Sequence, residues 1–278
     1  MSKSSQEISE WLRQRATAAG ARGLVVGLSG GIDSAVVVRL CQMATPGQVL
    51  GVIMPCHSDP QDETDARLVA DHFGVPVARV DLEQPYEQFI GILRGALTSL
   101  PEDMAAGSTP SGDIKARVPV ANVKPRLRMA TLYFIANSLN YLVVGTGNRS
   151  ELTIGYFTKY GDGGVDVLPI GSLLKSEVRK LAKELGVPQP IIDKAPSAGL
   201  WMGQTDEEEM GFAYAELERY LTDGPDSVAP ALALRLERMI RSTEHKRATP
   251  PAPGFDRRAS DSASTNPHVK VGRSGLVR

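Results

Sequence analysis

The residues with the clearest chemical potential lie in LSGGIDSA, residues 28–35, between the apolar run LVVGL at 24–28 and the apolar segment SAVVVRLCQMA at 34–44. Two adjacent glycines between Ser29 and Ser34 form a turn whose backbone N–H groups can face an anion. The positive end of the following helix reinforces them, and the two together attract phosphate. Gly30 and Gly31 let the backbone approach a ligand with no Cβ in the way, and the two serine hydroxyls can donate further hydrogen bonds. Gly31 is followed by Ile32 and Asp33 rather than by a lysine and a hydroxyl, which excludes a Walker loop, and the G-x-G-x-x-G spacing of a dinucleotide fingerprint is absent. Asp33 is the unusual member. A carboxylate beside a polyphosphate is repelled unless a cation lies between them, and Mg2+, bound by few carboxylates plus phosphate oxygens, resolves that conflict. The plain alternative makes Asp33 the N-cap of the helix 34–44.

The elements around this turn alternate strand and helix. Residues 4–19 carry Ile8, Leu12 and Ala16 on one face of an amphipathic helix. LVVGL, QVLGVIMP at 48–55, VPVARVDL at 75–82 and YLVVGT at 141–146 read as strands, and helices are expected over 34–44, 60–73, 84–99 and 122–139. The pattern predicts an α/β fold: a doubly wound parallel sheet with helices on both faces, binding its ligands beyond the carboxyl ends of the strands. The glycine turn sits at one such end. Residues 101–118, small and polar, predict a mobile loop able to serve as a lid, and the glycine-rich stretch 147–171 predicts a long functional loop.

SLLKSEVRKLAKELGVP, 172–188, predicts a helix capped by Ser172, with Leu174, Val178, Leu181 and Leu185 as its core stripe and Gly186 and Pro188 at its end. Lys175 falls in its first turn, where a cation opposes the helix dipole by roughly 0.3–1 kcal/mol and an anionic ligand offsets that cost. Further helices are expected over 206–222 and 227–241. From Ala248 the composition turns to Pro, Ser, Arg and Asp, which predicts a disordered tail. The reading is one domain over residues 1–247 and a tail over 248–278.

Composition narrows the class. Hydrophobic residues make up 42% of the 278, enough for a real core, and a formal charge of −1 argues against a protein devoted to nucleic acid. Cys41 and Cys56 form neither a disulfide framework nor a zinc-spaced pair and read as buried bystanders in a reducing compartment. The first twenty residues lack the apolar segment of a signal peptide, and no apolar run approaches the ~20 residues of a membrane span. These features predict a cytoplasmic protein with no membrane partner.

SGGIDS resembles the pyrophosphatase loop of the N-type ATP pyrophosphatases, which grip the β,γ-pyrophosphate of ATP and split ATP to AMP and pyrophosphate. NVKPRLRM (122–129), VVGTGNRSE (143–151), GYFTKYGDGGVD (155–166), KAPSAGLW (194–201), GQTDEEEMG (203–211) and TEHKR (243–247) resemble, in this order, the blocks of the ammonia-dependent NAD synthetases. The likeness runs from about residue 4 to 247. It implies an adenine nucleotide alpha-hydrolase-like fold and a ligase acting at the final step of NAD biosynthesis. Nicotinic acid adenine dinucleotide (deamido-NAD), ATP and ammonia would give NAD, AMP and pyrophosphate through an adenylated carboxylate, with Mg2+ as the metal. The implied ATP site is Gly27, Leu28, Ser29, Gly30, Gly31, Ile32, Asp33, Ser34, Thr146, Lys175 and Ser197, with Asp33 and Lys175 catalytic and Asp33 and Glu151 on the metal. Arg126, Lys159, Asp166, His245 and Lys246 are the implied deamido-NAD contacts; the cations suit its pyrophosphate and carboxylate. A homodimer with substrate across the interface is implied as well.

The chain also departs from the pattern. Gly199 stands where several members carry an acid. Pro125 replaces a common small residue, which suits only the first turn of a helix and sets that helix to begin near Val123. Ile53 and Asp59 take the places of an arginine and a glutamine that contact ATP in some members. Nothing like a glutaminase domain precedes residue 22, so free ammonia is the expected nitrogen source, unless a separate subunit delivers it. Two rivals stand beside this reading. A tRNA-modifying enzyme on the same fold would need a basic surface, and from His245 onward there are seven Lys or Arg against two Asp. A non-catalytic nucleotide-binding regulator would be favoured by Gly199 and disfavoured by Asp33, Glu151 and Lys175.

Overall fold

The computed structural model describes residues 3–101, 114–197, 199 and 205–253. Helix α1 (Lys3–Ala18) leads into β1 (Gly23–Gly27), α2 (Ile32–Ala44), β2 (Val49–Ile53), α3 (Pro60–Phe73), β3 (Val77–Arg79) and α4 (Glu83–Leu97). Then come α5 (Ile114–Ala121), α6 (Val123–Leu139), β4 (Tyr141–Val144), α7 (Arg149–Ile154), α8 (Lys175–Glu184) and α9 (Gln189–Asp193). Short helices close the described chain: α10 (Asp206–Met210), α11 (Tyr214–Asp223), α12 (Pro230–Ser242) and α13 (Glu244–Arg247). Residues 1–247 form one compact unit, and Ala248–Arg278 is a separate one. Among the described residues no helix is long and apolar enough to cross a membrane.

The four strands form one parallel sheet in the order β3-β2-β1-β4. Successive side chains of β1 go to opposite faces, as the strand pleat requires. Leu24 and Val26 join a core with Leu12 of α1, Val36 and Leu40 of α2 and Val178 of α8. Val25, on the other face, joins Tyr86 and Ile90 of α4 and Ala136 of α6. Burial on both faces explains why β1 and β2 read as continuous apolar runs rather than alternating ones. A third cluster, built on Ile154, Met210, Phe212, Leu217 and Leu236, packs the C-terminal helices together.

The chain moves outward from β1 through β2 to β3 and returns to the other side of β1 with β4. The sheet therefore has its switch point between β1 and β4, where the crossovers leave in opposite directions and open a crevice beyond the carboxyl ends. The glycine turn follows β1 and the GTGNRSE stretch follows β4, so topology alone brings these distant segments together.

Several boundaries differ from the sequence expectation. Residues 147–171 contain α7, because Asn148 and Glu151 form a reciprocal capping box that starts a helix inside a glycine-rich stretch. Ser172 does not cap α8. That helix begins at Lys175, where the Glu177 carboxylate accepts from the Leu174 N–H at 2.7 Å and the Ser150 hydroxyl from the Lys175 N–H at 3.2 Å. The segment read as one helix from 206 is divided by Gly211 in the left-handed region, and the helix expected from 227 starts at Pro230. Residues 114–118, read as loop, belong to α5, and residues 102–113 of the expected lid lie outside the described residues. So do residues 254–278 of the expected disordered tail. Pro125 stands in the first turn of α6, which begins at Val123.

Candidate functional site

The glycine turn is held open by its own side chains. Ser34 Oγ donates to the Gly31 carbonyl at 2.9 Å and accepts from the Ser29 N–H at 3.3 Å, and the two serine hydroxyls lie 3.2 Å apart. The hydroxyls thus brace the turn as well as lining it. Gly30 has φ +77, and a Cβ there would sit 2.4 Å from the Asp62 carbonyl oxygen, so backbone packing against α3 requires glycine. The N-cap of α2 is Gly31, not Asp33; no side chain caps this end, and Asp33 stands inside the first turn with its carboxylate available for other partners.

Those partners come from the far side of the switch point. Lys175 Nζ donates to Asp33 Oδ2 at 2.5 Å and reaches Glu151 Oε1 at 3.4 Å. The lysine side chain is 4% exposed and each carboxylate side chain 17%. The Asn148 amide donates to Asp33 Oδ1 at 3.1 Å. Tyr214 places its ring 5.3 Å from the ammonium and its hydroxyl 2.8 Å from Asp206 Oδ2 and 3.4 Å from Glu151 Oε1. Burial alone would lower the Lys175 ammonium, but Asp33 and Glu151 reverse that and hold it above the ordinary lysine range. Burial pushes Glu151 up, as it does Asp206, against the pull of Lys175. One ammonium thus serves two carboxylates, with a third acid close by. The donor set is oxygen-rich and carries excess negative charge, which suits a hard divalent cation. Among the described residues no three His, Cys, Asp or Glu side chains form a ready-made metal cage.

This cluster opens into a cleft of about 680 Å³, a size that suits a nucleotide-scale ligand. Of the sequence-derived ATP set, Gly27, Leu28, Ser29, Gly31, Ile32, Asp33, Ser34, Thr146, Lys175 and Ser197 line it; Gly30 lies behind, against α3. The five substrate candidates divide. Lys246 lines the cleft, its ammonium held 2.7 Å from the carbonyls of Gly155 and Phe157. Arg126 reaches the Lys159 carbonyl at 3.4 Å, and the Lys159 ammonium reaches the His245 backbone carbonyl at 2.5 Å, so these three form a neighbouring group outside the cleft lining. Asp166 is occupied elsewhere, accepting from the Val143 N–H at 2.8 Å and the Tyr133 hydroxyl at 2.9 Å.

Other contributors were not singled out from sequence. Lys194 holds Asp62 at 2.8 Å and Asp65 at 2.5 Å, tying the segment before Ser197 to the start of α3. Gly199 adopts φ +60, and a Cβ there would lie 3.6 Å from Asp62 Oδ2. An acid at this position would be strained and would point toward another carboxylate. Tyr214 and Asp206 carry no local signal, but Asn148 does: N-x-x-E at 148–151 is a helix-start signature. Cys41 and Cys56 are both buried, and burial pushes both thiols up.

Comparisons with known proteins agree on a single family. The sequence profile described as NAD synthase matches residues 4–250. The chain is 50% identical over 248 residues to the NH(3)-dependent NAD(+) synthetase of Carboxydothermus hydrogenoformans, covering 89% of this chain and 96% of that protein. Among solved structures, an NMN synthetase from Francisella tularensis matches with TM-score 0.79 and 36% identity, over 92% of this chain and all of the other. An NH3-dependent NAD synthetase from Campylobacter jejuni, solved with nitrate ion, matches with TM-score 0.71 and 26% identity over 91% and 100%.

Proposed function

The chain belongs to the NAD synthase family, and from that premise we propose that it amidates nicotinic acid adenine dinucleotide with ammonia at the expense of ATP, releasing NAD, AMP and pyrophosphate. The observation that carries this reading is the meeting, in one cleft, of the glycine turn after β1 with Asp33, Glu151 and Lys175. A glycine turn at the N-terminus of α2, where no side chain caps the helix, suits the outer phosphates of ATP. The nicotinate carboxylate attacks the α-phosphorus and pyrophosphate leaves. Ammonia then attacks the carbonyl carbon of the mixed anhydride, AMP leaves, and the nitrogen sheds its extra proton. No covalent enzyme intermediate is needed, so positioning and charge neutralisation carry the catalysis.

In this reading Asp33 and Glu151 hold Mg2+, which when bound neutralises phosphate charge. Lys175 keeps the two carboxylates together and stays protonated to face the phosphates. Thr146 and Ser197 contact ATP from the β4 side and from the segment anchored by Lys194. Lys246, with Arg126, Lys159 and His245 beyond it, supplies positive charge for the dinucleotide pyrophosphate; Asp166 contributes through the sheet end, where it already ties β4 to Tyr133. The protein acts as a homodimer. Large apolar side chains left in solvent on two packed helices support this: Ile92 and Leu97 of α4 are 69% and 62% exposed and Phe134 of α6 75%.

A product assay tests the reading. Incubated with ATP, Mg2+ and deamido-NAD, the protein is expected to form NAD and AMP in equal amounts with ammonium and none with glutamine. Nicotinic acid mononucleotide, run in parallel, tests the substrate to which the name of the Francisella neighbour points; faster turnover of it would move the assignment to the shorter acid. AMP release that ignores both acids and responds to tRNA would overturn it.

A further inference from the structure

Asn148 is fully buried, and each of its polar groups touches the ionic cluster or the helix that carries it. Its side-chain oxygen accepts from the Glu151 N–H at 3.1 Å, and its own N–H donates to Glu151 Oε2 at 3.2 Å. The amide nitrogen donates to Asp33 Oδ1 at 3.1 Å, across 115 residues of chain. The orientation is fixed by chemistry, since the opposite rotamer would set oxygen against carboxylate and NH2 against N–H. The remaining oxygens, Asp33 Oδ2 and Glu151 Oε1, both turn to the Lys175 ammonium. One residue therefore restrains the inner oxygen of each carboxylate and leaves the outer pair converging on a common cation.

We propose that Asn148 is a positioning residue for the divalent metal: it presets Asp33 and Glu151 so that their outer oxygens are presented together to the ion accompanying ATP. This rests on the reading of Asp33 and Glu151 as the metal pair. Groups that orient metal-binding carboxylates typically carry 10–100-fold in metal affinity. The N-cap role of Asn148 is separable from this one. Serine or threonine keeps an oxygen that accepts from the first turn, but neither can extend an amide N–H to Asp33.

The test compares wild type with Asn148→Ser, and with Asn148→Thr should the serine variant not fold. Affinity is measured by calorimetry for Mg·ATP and for ATP in EDTA. Expected is a loss of about 10-fold or more for Mg·ATP, with metal-free ATP bound as in wild type. Equal affinities for variant and wild type, or equal losses for both forms of ATP, would overturn the proposal. So would failure of both cap-preserving variants to fold, since a positioning role leaves the fold standing. Wild type that binds Mg·ATP no better than metal-free ATP would instead remove the metal reading of Asp33 and Glu151, and the proposal with it.

Discussion

Lys175 and Asp33, 142 residues apart, meet at 2.5 Å in a setting where the lysine is almost wholly shielded from water. Charge buried to this degree is costly unless paired, and removing one partner leaves the others uncompensated. Lys175→Met keeps the length and apolar stem but strands Asp33 and Glu151 beside each other. The variant is expected to lose about 3–5 kcal/mol of stability, read as a lower urea midpoint with an unchanged slope. Millimolar Mg2+ should restore part of that loss, because a divalent ion can replace the missing cation. A variant as stable as wild type without Mg2+ would mean that the lysine does not hold the pair.

Asp33→Asn tests the same cluster from the other side. The amide retains the shape and can still accept from Lys175, so the far-UV spectrum and cooperative unfolding should persist. Its lost charge is expected to lower NAD formation by about 100-fold or more, the scale on which a single charge-stabilising group acts. AMP release near the wild-type rate would refute a catalytic role for this carboxylate.

Gly30→Ala addresses the turn itself. The backbone there lies in the left-handed region, and the new methyl would meet the Asp62 carbonyl at 2.4 Å. Left-handed strain of about 1–2 kcal/mol adds to that clash. The turn must shift away from α3, and its N–H groups move with it. Expected are a stability loss above about 2 kcal/mol and a raised KM for ATP, with KM for ammonium little changed. An unaltered KM for ATP would show that the turn does not hold the nucleotide.

Local patterns made much of this legible in advance. The strands, α2 to α4 and α6 follow from apolar runs and periodicity, and SGGIDS marks a turn at a helix start, which the structure places in the lining of the cleft, because glycines and a helix start act locally. What stayed hidden depends on distance. That Lys175 reaches Asp33, that Lys194 ties Asp62 and Asp65, and that Tyr214 covers the ammonium are contacts between segments far apart in the chain, which no single segment encodes. Ser172 is a good cap by type, whereas the Glu177 carboxylate and the Ser150 hydroxyl from α7 determine the real start of α8. The capping box of α7 is local, but glycines on both sides of it mask the helix in the sequence.

The exposed faces of α4 and α6 lead to the last expectation. Phe89, Ile92, Leu93 and Leu97 fall at positions 89, 92, 93 and 97, the i, i+3, i+4 and i+8 spacing that lines one side of a helix, and all four keep substantial exposure. Such a side is normally polar in a monomer, so its apolar character calls for a covering surface, and a second copy of the same face satisfies this with two-fold symmetry. Paired Ile92→Glu and Phe134→Glu substitutions bring like charges together in a dimer while costing the isolated chain little, because both side chains already face water. Sedimentation equilibrium is expected to give twice the chain mass for wild type and the single-chain mass for the double variant. Deamido-NAD turnover should fall with dissociation if the substrate spans the interface. Wild type sedimenting as a monomer at the concentrations used for the assay would dismiss the homodimer.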